Sequence, residues 1–482
     1  MVNIEPSVDT STWIASTLAL NTFPDKIWTL FNYTDSRPFT VLPLYLVSLF
    51  GVSINYISTE IIGLVLWICT GLILNKTFQL FLTKELGLLL TWFLWMVIGT
   101  TWHFDHIAYN SEHIGILAIT LCSYWYLKFR KSERIEIFRV LVLGLCLGCL
   151  PYIKFQNIPM GIVIAAFTML AFIKLKNWKA LLVLITGGVL PTILINFYFW
   201  TLGKLSDFWV NYFWNYFYYS YSTQFQSMPV NERFSVHRTF FFLLNSANTR
   251  LFIGGLLGGI VILAFWWFRS KKDSFAKVNL RFSGWLLLTS LYATLQAGNN
   301  FDHYVLYLFV PLIYITGVLV GGLNSKLQSI AVASFITLIL IQSIVNITTR
   351  HPSRPVIDTT LDDKIVKEIQ ANSTAQQSIV IWGWVDRLYY LSGRANGYRF
   401  PYTYNLFLES ELHDYRVINF LEDLEARKPE LIIDIMIPTY SMNTEIGGRF
   451  EDYPKISKYI HQHYRYLKNV EGVLFYIKKH GD

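Results

Sequence analysis

Residues 57–75 read ISTEIIGLVLWICTGLILN, a run with one charge, Glu60, close to one end. Crossing the hydrocarbon of a bilayer as a helix takes roughly 17–25 mostly apolar residues. The stretch therefore predicts a transmembrane span. Working outward, the same pattern returns at about 86–103, 113–129, 137–152, 158–174, 180–200, 250–268, 283–298, 304–322 and 328–347, ten spans in all. Phe39–Val52 is apolar but short, follows Arg37-Pro38 and contains Pro43, and so reads as a juxtamembrane or re-entrant helix.

Composition agrees. Of 482 residues, 53% are hydrophobic, 17% aromatic and only 15% charged, where a soluble domain carries about a quarter charged residues. The net charge of +8 raises the question of nucleic acid. Its lysines and arginines sit in short loops between apolar runs, which is a topology signal and argues for a bilayer and against nucleic acid as partner. Cys69, Cys122, Cys146 and Cys149 fall inside apolar segments without disulfide or zinc spacing, and read as packing residues.

Orientation follows from loop charge. One set of loops holds Lys76 and Lys84; Lys128, Arg130, Lys131, Arg134 and Arg139; Lys174, Lys176 and Lys179; Arg269, Lys271, Lys272, Lys277 and Arg281; and Lys326. The alternate short loops, 104–112, 153–157 and 299–303, hold Lys154 alone, so the count is sixteen against one. The first set is expected to be cytoplasmic, in a plasma (inner) membrane. Residues 1–56, the poor loops, a long loop at 201–249 and everything after about 350 then face outside. An even number of spans with an outside start predicts a further helix before Met1.

Three regions are expected: a first extracytoplasmic loop with juxtamembrane helices at 1–56, a transmembrane domain at 57–349, and a small extracytoplasmic α/β domain at 350–482. In the last, Ser378–Trp384 (SIVIWGW), Leu431–Ile437 (LIIDIMI) and Val473–Ile477 (VLFYI) read as buried strands. Amphipathic helices are expected at Asp362–Ala371, Arg416–Lys428 and Lys455–Tyr466. Alternating strands and helices predict a mainly parallel sheet. No GxGxxG, P-loop or solenoid period is present.

The run HFDHIAYNSEH, residues 103–113, places three histidines and two acids, Asp105 and Glu112, in a tight loop. Solvating a loop does not require that set. Ionisable groups at membrane depth are costly and tend to line functional cavities. His/Asp/Glu spacing admits a divalent metal, but HExxH and any Cys/His framework are absent, and no metal ligand or cofactor is assigned. Asp9, in VDTSTWIA at 8–15, starts an amphipathic helix that it would most simply cap. In LPYIKFQNIP at 150–159, Lys154 stands against the topology rule and near Gln156, so it needs an anionic partner: Asp105, Glu112 or a ligand phosphate. Asp302, His303 and Tyr304 follow in another outer loop, where solvation would also explain them. Eight of the eleven residues of Asn211–Tyr221 are aromatic, which reads as interfacial anchoring or as a groove for an isoprenoid tail.

Together the Asp9 helix, the Pro-containing helix at 39–52 and the acidic loop after the second full span resemble the GT-C superfamily of integral membrane glycosyltransferases. The nearest branch resembles protein O-mannosyltransferases and lipid A aminoarabinose transferases. Tyr109–His113, Pro151–Pro159, Asp302–Tyr304 and Trp382-Gly383-Trp384 also look like motifs of bacterial members. The resemblance implies transfer of sugar from a polyprenyl-phosphate donor, outside the cytoplasm, to a lipid, glycan or protein acceptor. Asp9 matches the family's first acid and Asp105 its second, with Glu112 as competitor. Lys154, Gln156, His106, Tyr109, His113, His303 and Tyr304 would then bind substrate. Two departures stand out: the family's first helix is absent, and Thr10 follows Asp9 where many members have a second acid. Displacing a polyprenyl phosphate needs a carboxylate base for the acceptor hydroxyl and cationic or hydrogen-bonding groups for the leaving phosphate. Rival readings are a lipid-linked glycan polymerase or ligase, and a transporter or flippase of lipid-linked sugars. Transporters place ionisable groups near the midplane, and here the span centres are almost free of charge.

Overall fold

The computed structural model describes residues 5, 7–23, 38–132, 134–216, 229–246, 248–269, 273–298, 301–349, 359–438, 440–441 and 447–479. The chain divides into two compact units. One comprises 1–59, 204–224 and 353–482; the other comprises 60–203 and 225–352.

The second unit is helical: the rest of α3 (Tyr56–Phe78), then α4 (Lys84–Thr100), α5 (Ser111–Lys131), α6 (Ile137–Ile153), α7 (Ile158–Lys174) and α8 (Trp178–Thr201). After the segment that belongs to the other unit come α10 (Val236–Asn245), α11 (Arg250–Phe268), α12 (Ser274–Leu295), α13 (Leu306–Gly321) and α14 (Ser325–Thr348). Every expected span thus has its helix. Six are long and apolar enough to cross a membrane: Tyr56–Phe78, Phe155–Lys174, Trp178–Thr201, Arg250–Phe268, Asp302–Gly321 and Ser325–Thr348. Of the remaining four, α4 and α6 have 17 residues each, and α5 and α12 carry ionised residues in their end turns. The protein is a multi-pass helical membrane protein with a C-terminal α/β region.

Close approach in this unit uses small residues, as is usual where lipid supplies no hydrophobic drive between helices. A Cβ on Gly148 of α6 would stand 2.2 Å from the Gly188 carbonyl oxygen of α8, and one on Gly144 2.6 Å from that of Leu184. Helix α13 is enclosed, with every residue from Leu306 to Val320 buried. The 3₁₀ turn Asp302–Val305 that starts it is thereby fixed in place.

The other unit is built on a five-stranded sheet in the order β2-β1-β3-β5-β4. Its strands are β1 (Ser378–Trp382), β2 (Ala395–Asn396), β3 (Leu431–Asp434), β4 (Tyr464–Val470) and β5 (Val473–Lys478). β1 pairs in parallel with β2 and β3, whereas β3–β5 and β5–β4 are antiparallel. The sheet is mixed, which corrects the expectation of a mainly parallel one. Helices α15 (Thr359–Ala371), α16 (Arg387–Ser392), α17 (His413–Arg427) and α18 (Pro454–His463) cover it. The helix expected to reach Tyr466 stops at His463, and β4 follows. Glu471 and Gly472, at φ of 51° and 94°, make the two-residue left-handed turn that closes an antiparallel hairpin. β4 is an edge strand studded with Arg465 and Lys468, so its polar pattern hid it.

Helix α1 (Val8–Thr22) joins this core: Ala15 is buried with Ile379, Ile381, Leu431 and Phe475. Ten of its fifteen residues are buried, so it is enclosed and not amphipathic as expected. The cap is also different, because Ser7 accepts from the Thr10 N–H at 3.3 Å and Asp9 lies inside the first turn. Its buried hydroxyls are satisfied, Thr12 donating to Asp386 and Ser11 lying 2.9 Å from the Tyr56 hydroxyl. Helix α2 (Pro38–Leu49) is a short apolar helix. Of the aromatic run 211–221, residues 217–221 lie outside the described residues. The part before them, α9 (Leu205–Trp209) and the π turn Val210–Trp214, bonds to α17: Tyr415 donates to Asp207 at 2.8 Å and Arg416 to Asn215 at 2.7 Å. Asp207 and Asn215 thus tie this segment to α17.

Candidate functional site

Three turns of the helical unit meet at one end: the α4–α5 turn with its 3₁₀ segment Phe104–His106, the α6–α7 turn beginning at Lys154, and the turn into α13. Each is short because the helices it joins pack side by side. Any ionisable residue in them is therefore confined near the others.

Glu112 sits in the first turn of α5, where the helix dipole favours an anion. Asn110 caps that helix, and His113 completes the capping box by accepting from the Asn110 N–H at 3.1 Å. Glu112 is fully buried. One carboxylate oxygen takes the Lys154 ammonium in an ion pair; the other accepts from the Ser111 hydroxyl at 3.1 Å. The Lys154 Nζ also lies 4.9 Å from the centre of the Tyr304 ring, so the cation has a carboxylate on one side and an aromatic face on another.

His303 bridges the two acids. Its Nδ1 is 3.5 Å from Asp105 Oδ2 and its Nε2 3.9 Å from Glu112 Oε1. Phe301 stacks on its other side, with ring centres 5.6 Å apart. Burial alone would raise the Asp105 carboxyl; the His303 contact and the neighbouring His103 and His106 outweigh it and hold it below the ordinary carboxylate range. Asp105 is thus ionised at neutral pH. Its Oδ1 is buried with no hydrogen-bond partner among the described residues.

A second pair flanks the first. His103 Nε2 is 2.9 Å from Asp302 Oδ2, and His103 stacks on His106 with ring centres 4.7 Å apart. His106 is completely buried and, by burial and by the nearby His103, pushed down to about 3, so its ring stays neutral. It lies 3.2 Å from the Thr101 hydroxyl, while its carbonyl accepts from the Trp67 indole at 2.8 Å. His106 reads as part of the frame that fixes Asp105.

The helical unit therefore brings together Asp105, Glu112, Lys154, His303 and Tyr304, drawn from three loops. Gln156 is buried one turn away and donates to the Ala293 carbonyl at 3.4 Å. Tyr109 and His113 stack on each other, 6.3 Å apart, in the wall behind Glu112. Asp9 belongs to the other unit. Sequence reasoning passed over Thr101 and Asn248. Thr101 donates to the Asn248 side chain at 3.4 Å, and the same side-chain oxygen accepts from the Trp102 N–H at 3.1 Å. A threonine and an asparagine at helix ends carry no signal of their own.

Among the described residues, no three His, Cys, Asp or Glu side chains are arranged to hold a metal ion. The acids of the cluster already face partners: Glu112 an ammonium, Asp105 and Asp302 an imidazole each. Among the described residues, these side chains form no such donor set. The cluster can instead hold an anion on Lys154 and His303 and accept a proton on Asp105.

No protein-family model matches this chain, and neither does any curated protein. Among solved structures, one similar to it is the crystal structure of the Archaeoglobus fulgidus oligosaccharyltransferase complex with Zn and sulfate. The identity is 13% and the TM-score 0.45, covering 98% of this chain and 69% of that one. At that level the likeness assigns neither a substrate nor a role for any residue.

Proposed function

We propose that this protein is a membrane glycosyltransferase of the GT-C type, moving a sugar from a polyprenyl-phosphate donor to an acceptor hydroxyl at the extracytoplasmic face of the plasma membrane. The observation that carries the reading is the buried meeting of Asp105, Glu112, Lys154 and His303 at one end of an apolar helical bundle. Structural packing alone would not gather two acids, a lysine and a histidine there, because each must be desolvated.

In the proposed reaction the acceptor oxygen attacks the anomeric carbon, and the bond from that carbon to the phosphate oxygen breaks. The hydroxyl proton passes to the Asp105 carboxylate, whose Oδ1 has no hydrogen-bond partner among the described residues. The electron pair leaves with the polyprenyl phosphate, held by Lys154 and His303. Charge develops on the leaving phosphate, and cationic groups held beside it lower the barrier. Lys154 reaches it by sharing or leaving its contact with Glu112, which makes Glu112 the residue that orients Lys154. Asp9, which matches the family's first acid, is proposed as an acid of the transferase on that resemblance alone.

The test is incubation of the purified full chain with labelled polyprenyl-phosphate sugars, following donor consumption. Asp105→Asn should abolish consumption while the protein still inserts and purifies as a single species. Full activity in that variant sinks the assignment.

A further inference from the structure

A groove of about 330 Å³ runs between α11 and α14, lined among others by Gly255, Gly259, Trp266, Leu327, Ala331 and Ser334. Its floor exists because α11 approaches α14 closely at two glycines. A Cβ on Gly255 would stand 2.0 Å from Leu338, and one on Gly259 2.6 Å from Phe335. Ile262 and Ile330, which also line the groove, and the neighbouring Val261 are exposed, as befits side chains that face hydrocarbon.

The groove has a polarity. At the α11 start, Asn248 holds the Trp102 N–H, and Asn346 near the α14 end donates to the Asn248 carbonyl at 3.1 Å. Those residues lie at the end of the unit that carries the acid–lysine cluster. The groove spans positions 255–266 and 323–338, so it opens toward the opposite end, where the basic loops are. There the Arg269 guanidinium lies 3.9 Å from the Phe265 ring centre and 5.7 Å from that of Trp266, a lining residue. On the other wall, exposed Lys326 is next to Leu327, also a lining residue.

We propose that this groove is a binding site for an anionic phospholipid of the leaflet at the basic end, one acyl chain in the groove and the phosphate between Arg269 and Lys326. The length along α11 is about 16 Å at 1.5 Å per residue. That length suits a stretch of acyl chain. A basic residue at the surface of an anionic leaflet strengthens binding by roughly fivefold. Two such residues at the mouth therefore select an acidic head group over a zwitterionic one. The site is separate from the proposed transferase centre and does not depend on that function.

The experiment uses the full chain, delipidated in mild detergent, with phosphatidylglycerol or phosphatidylcholine of identical chains, and counts bound lipid by native mass spectrometry. The wild type is expected to hold one phosphatidylglycerol at least about fivefold more tightly than phosphatidylcholine. Arg269→Gln/Lys326→Gln, both at exposed positions, should bind the two lipids equally. Ser334→Trp, which fills the groove, should lose both. An unchanged preference in the double variant overturns the proposal, whatever becomes of the Trp variant. So does full disulfide dimerisation of Ser334→Cys in membranes, which would put a second copy in the groove.

Discussion

Replacing Lys154 by methionine removes one ammonium while keeping a side chain of similar length, and leaves the buried Glu112 carboxylate with only His303, its Nε2 3.9 Å away, as a cationic neighbour. Both partners are almost wholly inside the protein, with side-chain exposures of 6% and 0%. Removing one member of such a pair costs about 3–5 kcal/mol, because the remaining charge keeps its desolvation penalty and loses its compensation. At 1.4 kcal/mol per factor of ten, the unfolding equilibrium should shift by about 10² or more. Adding Glu112→Gln removes the uncompensated charge, so the double variant should recover most of the loss, to within about 1 kcal/mol of the wild type. Activity should behave differently. If Lys154 holds the leaving phosphate, neither variant regains donor consumption, and each should stay ~10²-fold or more below wild type, as for loss of one preorganised charge-stabilising group. Denaturant unfolding followed by tryptophan fluorescence reads the first quantity, and labelled-donor turnover the second. A Lys154→Met protein as stable as wild type would contradict the buried pair. A double variant that regains turnover as well as stability would reduce Lys154 to a counter-ion for Glu112.

Three further outcomes follow from the geometry. Gly63→Val should push on the Ile107 carbonyl oxygen, which a Cβ would meet at 2.0 Å, costing about 1–3 kcal/mol by overpacking and displacing the loop that carries Asp105; donor turnover beside wild type, in protein that still purifies folded, reads the displacement. Burial pushes the Asp386 carboxyl, bonded to Thr12, up to about 8. Its ordinary value is about 3.9, so the folded state binds the extra proton between about pH 4 and 8 and loses stability as pH rises through that window. Asp386→Asn, which keeps an acceptor for Thr12, should flatten that slope and be the more stable form at pH 8, measured by unfolding at a series of pH values. His106, held neutral at about 3 against an ordinary value near 6.5, gives the opposite trend: stability falls as pH drops from 6.5 toward 3, and His106→Gln should remove that component in the same titration.

By itself the sequence located the apolar helices, because such runs have no other low-energy arrangement once water is excluded; each of the ten expected spans is a helix, and six are long and apolar enough to cross a membrane. It also determined β1, β3 and β5, whose apolar runs are buried whatever their neighbours. It pointed to Lys154 as a lysine in need of an anion, since loop charge follows topology and Lys154 breaks the pattern. Which anion was a tertiary matter. Glu112 and Asp105 are both in reach by sequence, and only the packing of α5 against the Lys154 turn gives the lysine to Glu112 and leaves His303 to Asp105. The same holds for α1, whose buried core position against Ile379 and Phe475 depends on residues some 360 or more positions away in the chain. It holds for β4, whose edge place is set by its hairpin with β5 and not by its own polar residues. Apolar burial is legible locally because it is a property of a segment. The pairing of ionised groups is not, because its energy depends on which partners the tertiary packing brings within reach and how much water is left between them.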